Sequence, residues 1–89
     1  MRAVITIIGY DKVGIVYKVS ELLVKYNLNI VDINQTIIDQ YFTMIMIVDI
    51  TSLKEQFTEV VDAIDKLAEE LNMDIRIQRE DIFNSMYQV

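Results

Sequence analysis

The order of apolar patterns along the 89 residues predicts one α+β domain: a four-stranded antiparallel sheet, two helices on one of its faces and a short helical tail. Two observations carry this. Four β-branched or alternating stretches are interrupted by two stretches with helical apolar spacing, in the order strand, helix, strand, strand, helix, strand. The second and third strands are separated by only two residues, Asp39 and Gln40, a spacing that suits a tight hairpin although the favoured Asn-Gly or Asp-Gly pair is absent.

Arg2 to Ile8 is the first strand, rich in β-branched residues, with Thr6 as its interior polar position and Gly9 expected to close it. Its near-continuous apolarity fits a central strand covered on both faces. Asp11 is placed to cap the helix that follows, in which Ile15, Val16, Val19, Leu22, Leu23 and Tyr26 form one apolar stripe. Asn27 stands where that helix should end.

Asn29 to Ile38 is the second strand, with Val31, Ile33, Gln35 and Ile37 on one face and Ile30, Asp32, Asn34, Thr36 and Ile38 on the other. Tyr41 to Ile50 is the third, apolar on both faces through its middle. Ser52-Leu-Lys-Glu55 reads as a capping box, followed by Leu53, Phe57, Val60, Val61, Ile64, Leu67, Ala68 and Leu71 at helical spacing. Met73, Ile75 and Ile77 alternate with Asp74, Arg76 and Gln78 as a half-exposed fourth strand. Glu80 and Asp81 then open a short segment whose Ile82, Phe83, Met86 and Tyr87 share one side of a helix. This is the split βαβ order of a ferredoxin-like βαββαβ sandwich, whose right-handed crossovers place strands one and three in the centre.

Composition narrows the chemistry. With no cysteine and no histidine, disulfides and thiolate metal sites are excluded, and the usual zinc ligand and the commonest neutral-pH general base are missing. Ser20 and Ser85 therefore have no base to activate them, and catalysis is not expected. The hard oxygen donors Asp32, Asn34 and Asp39 have no metal-loop spacing, so neither a metal nor another cofactor is implied. Fourteen acidic against eight basic residues, a formal charge of −6, argue against nucleic acid. The apolar runs are too short to span a membrane, and the strand pattern begins at residue 2, so no signal peptide and a cytoplasmic protein are expected.

An excess of apolar residues is itself informative. They make up 53% of the chain, a little above the roughly 45–50% of ordinary domains. Two helices cover one sheet face only, yet the third strand is apolar on both, so a patch should remain for a second copy of the chain, in a two-fold homodimer.

The stretch Gly9 to Val16 holds the chain's only two glycines, at a strand-to-helix turn where free backbone amides suit an anion. A carboxylate docked on the amides of Val13, Gly14 and Ile15, beside Lys12, would leave its ammonium group to Asp11 or to the side-chain oxygen of Asn29. A tight turn with a cap explains the same residues without any ligand.

Three segments carry a family resemblance: Ile-Gly-Tyr-Asp-Lys-Val-Gly-Ile-Val (8–16), Asn-Ile-Val-Asp (29–32) and Tyr-Phe-Thr-Met-Ile-Met-Ile-Val (41–48). They look like an ACT domain spanning the whole chain, 1–89. With the Ile-Phe-Asn-Ser-Met-Tyr tail (82–87), the chain most resembles the small stand-alone ACT proteins, and it is similar to one half of the glycine cleavage repressor. The resemblance implies a regulatory module for amino acids or related carboxylates, with ligands between the first strand–helix loop of one copy and the second strand of the other. It implies that Asp11 and Gly14 match the family's Asp/Asn-x-x-Gly and that Asn29 matches its ligand-contacting asparagine. Val13 stands where proline is frequent, and Gly9 where some serine-binding members have histidine, so serine is not implied. No enzyme is attached, so any output would pass to a separate regulated protein. The competing expectation is an interaction module that uses the apolar sheet face or the tail without a ligand.

Overall fold

The computed structural model describes residues 1–10, 14–53 and 56–87. The elements are β1 (Arg2–Tyr10), α1 (Ile15–Lys25), β2 (Asn29–Ile38), β3 (Tyr41–Asp49), α2 (Phe57–Leu71), β4 (Asp74–Arg79) and α3 (Glu80–Tyr87). The sheet order is β2-β3-β1-β4 with every neighbouring pair antiparallel, which puts the first and third strands in the centre as the ferredoxin-like pattern requires.

Alternation along the strands divides the sheet. Ala3, Ile5 and Ile7 of β1 lie opposite Val48, Met46 and Met44 of β3, and Ile5 and Ile7 also face Ile77 and Ile75 of β4. All of these are buried beneath the helices, which contribute Ile15, Val19 and Leu23 from α1 and Val60, Ile64 and Leu67 from α2. Lys18 of α1 pairs with Glu70 of α2 across the helix layer at 3.8 Å.

Both crossover helices end in the same way. Asn27 at φ 58° and Asn72 at φ 54° take the left-handed conformation just past each helix. The amide of the next residue then bonds back five residues, Leu28 to Leu23 at 2.9 Å and Met73 to Ala68 at 3.0 Å. This is the Schellman arrangement, and the residue that closes it is a buried hydrophobe in both cases. The sequence shows no obvious repeat, but the two halves share this exit.

Three local expectations change. β1 does not stop at Gly9 but continues to Tyr10, with Gly9 opposite Phe42. The packing at Gly9 is tight: a Cβ there would lie 2.7 Å from Met73 Cε and 3.1 Å from its Cγ. β2 carries a bulge, because Ile30 pairs with Val48 but Asp32 with Ile47. The extra residue, Val31, moves Ile30 onto the helix side with Ile33 and breaks the simple alternation. α2 starts at Phe57, with Gln56 at its N-cap, not at Leu53. Leu53 and Gln56 instead close turns onto the carbonyls of Ile50 and Leu53, and the Ser52 hydroxyl donates to the Asn27 carbonyl at 3.3 Å. Glu55, the other half of the expected capping box, lies outside the described residues.

Finally, α3 folds back from the end of β4. The Arg2 guanidinium grips Glu80 at 2.6 and 3.2 Å, and Arg79 Nη2 meets Asp81 at 2.8 Å, so the base of α3 is held by two ion pairs. The helix lies against β1 and β4 on the face opposite α1 and α2, and Val4 on that face is only 4% exposed.

Candidate functional site

Gly14 occupies the N-cap position of α1, which was expected of Asp11; Asp11, Lys12 and Val13 lie outside the described residues. Gly14 sits at φ 88° and ψ 0°, a left-handed conformation that favours glycine, and no side chain among the described residues caps this helix start. Its carbonyl accepts the first helical bond, from Lys18 at 2.9 Å. Among the described residues no atom lies within 4 Å of where a Cβ would stand. Ile15 turns its side chain into the core and is 2% exposed.

Asn29 is exposed at the first position of β2, opposite Asp49. It helps line a polar depression of about 230 Å³ together with Asn27, Asp49, Thr51 and Ser52. Asp49 is held in place by Thr51, whose hydroxyl and amide both donate to Oδ1, at 2.6 and 2.9 Å. The side-chain hydrogen bond first, and the backbone one second, hold the Asp49 carboxyl below the usual carboxylate range. The Met1 ammonium donates to the same Thr51 hydroxyl at 2.9 Å, tying the N-terminus to this end of the sheet.

Gly14 and Asn29 do not meet within one chain. β1 pairs Tyr10 with Tyr41 at one end of the sheet and Arg2 with Asp49 at the other. Gly14 follows Tyr10, whereas Asn29 lies beside Asp49, and the ladder between these ends is about 26 Å long at roughly 3.3 Å per residue. Asp49, Thr51 and Ser52 around Asn29 were not anticipated. The Asp49-Ile-Thr51 pattern is the signal that would have found them, since an aspartate commonly bonds the backbone two residues on.

The edge beside Asn29 is unprotected. All ten residues of β2 are exposed, including Ile30, Val31, Ile33 and Ile37, and so are Val16, Tyr17 and Val24 of α1. Among the described residues no cluster of three or more His, Cys, Asp or Glu could hold a metal ion, and no helix is long and apolar enough to cross a membrane.

Comparisons with known proteins agree with this architecture. The ACT domain family profile matches residues 2–78. A UPF0237 protein of Listeria innocua is 52% identical over 89 residues, covering the whole of both chains. The solved structure of an ACT domain protein from Streptococcus pneumoniae superposes with a TM-score of 0.80 at 42% identity, covering 98% of each chain. A glycine cleavage system transcriptional repressor shares the fold, with a TM-score of 0.74 at 24% identity over 86% of this chain and 44% of that one. ACT domains are regulatory ligand-binding modules, and by profile, sequence and structure this chain belongs to the ACT domain family.

Proposed function

We propose that the protein is a non-catalytic regulatory module of the cytoplasm that binds an amino acid or related small carboxylate as a homodimer. The observation that carries this reading is the separation of the two half-sites. The start of α1 at Gly14 and the polar depression at Asn29 lie at opposite ends of the same sheet. A two-fold axis perpendicular to the sheet, pairing β2 with β2 of a second copy, exchanges those ends and sets one chain's Gly14 turn near the other's Asn29. The exposed apolar residues of β2 and α1 supply the surface for that pairing. The ligand carboxylate would take the amides around Gly14 and Ile15, helped by Lys12, with Asp11, Val13 and the partner's Asn29 completing the site. Ligand binding would act on a separate regulated protein by favouring one dimer packing over another, to the extent that its affinities for the two differ.

A thermal-shift screen of the twenty amino acids tests this. A ligand at 100 times its Kd stabilises by about 2.7 kcal/mol. Gly14→Val should abolish that shift while the fold persists, and Asn29→Ala should weaken it. The absence of a shift with any of them at millimolar concentration would instead favour an interaction module without a ligand, the reading supported by the exposed apolar side chains on the open sheet face.

A further inference from the structure

The face of the sheet opposite α1 and α2 is only partly covered. α3 lies over its lower β1–β4 corner, where Val4 is buried. The diagonally opposite corner, formed by the upper ends of β1, β3 and β2, presents Ile8, Tyr10, Ile38, Tyr41 and Ile45, all exposed. Tyr10 and Tyr41 stack there with ring centroids 5.2 Å apart, which makes an aromatic platform. Ile38, at the rim, is 69% exposed. Thr36 and Thr43 complete the corner, and no charged side chain lies among these seven residues on a chain of net charge −6.

We propose that this corner is seated by α3 of a second copy, in a face-to-face association distinct from the β2 edge. The two corners are self-complementary. A two-fold axis lying between the sheets along the other diagonal carries the corner that bears α3 onto the corner that lacks it, so each copy covers the other's platform and both contacts form together. α3 has surface left for this role, because Ile82 is 48% exposed although its helix is already docked on its own sheet. The extent of surface agrees as well. The five apolar side chains expose on the order of 500 Å², taking roughly 150–250 Å² for a whole large side chain. Two symmetric contacts, each burying a comparable area of helix, reach the roughly 1,200–2,000 Å² of a stable interface. Combined with pairing through β2, the result is a tetramer of dihedral symmetry; without it, a dimer.

Sedimentation velocity and cysteine cross-linking test the proposal, and the cysteine-free chain makes the second clean. Ile45→Lys and Ile8→Lys, each on an exposed position of a central strand and outside β2, should halve the mass of the wild-type particle while the circular dichroism spectrum stays unchanged. Ile82→Asp on α3 should do the same. A mixture of Thr43→Cys and Ser85→Cys chains should give a two-chain product with a short bismaleimide linker, whereas Thr58→Cys on the outer side of α2 mixed with Ser85→Cys should not. A monomeric wild type, an unchanged mass in all three charge variants, or equal cross-linking in both mixtures would overturn it. Gly14 and Asn29 lie outside this surface, so failure of the ligand screen leaves these outcomes unaffected, and the reverse holds too.

Discussion

The two glycines do different work, and a double-mutant cycle with Met73 separates them. At Gly9 the added Cβ of Gly9→Ala would lie 2.7 Å from Met73 Cε and 3.1 Å from Cγ. The methyl end of Met73 can swing aside, but Cγ belongs to a side chain that is 92% buried, being only 8% exposed, where the α2 exit closes. Overpacking of this kind costs about 1–3 kcal/mol. Replacing a glycine inside a strand by alanine returns about 0.5–1 kcal/mol. The net expectation is a loss of about 1 kcal/mol, which lowers Tm by roughly 4–8 °C in a domain of this size. Met73→Ala alone should cost about 2–5 kcal/mol. In that background the clash is gone, so Gly9→Ala should now stabilise by about 0.5–1 kcal/mol. Gly14 is the control. Its φ of 88° makes Gly14→Ala cost about 1–2 kcal/mol in backbone strain, and with nothing within 4 Å the cost should be equal in both backgrounds. Urea denaturation of the five variants and the wild type gives every term. An effect of Gly9→Ala with the same sign and size in both backgrounds would refute the packing explanation.

Three further outcomes are expected. Asp49 is held below its usual range when folded, so its contribution is complete above the ordinary carboxylate value and is lost as the pH falls through the depressed folded value; the stability difference between wild type and Asp49→Asn should shrink along that acid limb, and a pH-independent difference would contradict the Thr51 hydrogen bonds as its cause. Arg2→Ala removes the partly exposed ion pair to Glu80 and should cost no more than about 1 kcal/mol, less at high salt, measured by urea denaturation at two ionic strengths. Tyr10→Leu keeps most of the apolar surface but loses the stack on Tyr41, and should lower stability by about 0.5–1.5 kcal/mol.

Why some of this was legible in the sequence and some was not follows from the range of the interactions involved. The strands and the strand order rest on apolar alternation and on crossover handedness, both local or generic, and they were read correctly. The helix exits at Asn27 and Asn72 were legible too, because the left-handed turn they make is a property of the residue itself. The place of Gly9 inside β1 is not legible in the sequence, because its constraint comes from Met73, a residue 64 positions away in the chain. The bulge at Val31 leaves no mark in an apolar, β-branched stretch, so simple alternation assigns Ile30 to the wrong face. The start of α2 was placed too early because Ser52 spends its hydroxyl on the Asn27 carbonyl, a contact between the two crossovers. At the candidate site, Gly14 was visible as a glycine in a turn, but the distance from Gly14 to Asn29 depends on which end of the sheet each crossover reaches.

The paired helix exits allow stability and ligand binding to be separated at one kind of residue. Asn27 and Asn72 hold nearly equal φ angles and are followed by the same Schellman bond, so substitution should have nearly equal effects on the fold. An alanine at either place must adopt a positive φ and should cost about 1 kcal/mol relative to asparagine. Glycine adopts that conformation freely and should leave stability within about 0.5 kcal/mol of wild type. Only Asn27 lines the polar depression with Asn29, Asp49, Thr51 and Ser52; Asn72 lies at the other end of the sheet, before β4. Asn27→Gly should therefore reduce the thermal shift produced by a bound amino acid, while Asn72→Gly leaves it intact. If both glycine variants keep the full shift, the depression is not part of the ligand site, and the search moves to the Gly14 turn alone. If both lose it equally, the effect runs through the fold, and the opposite-end arrangement of the two half-sites no longer explains the binding.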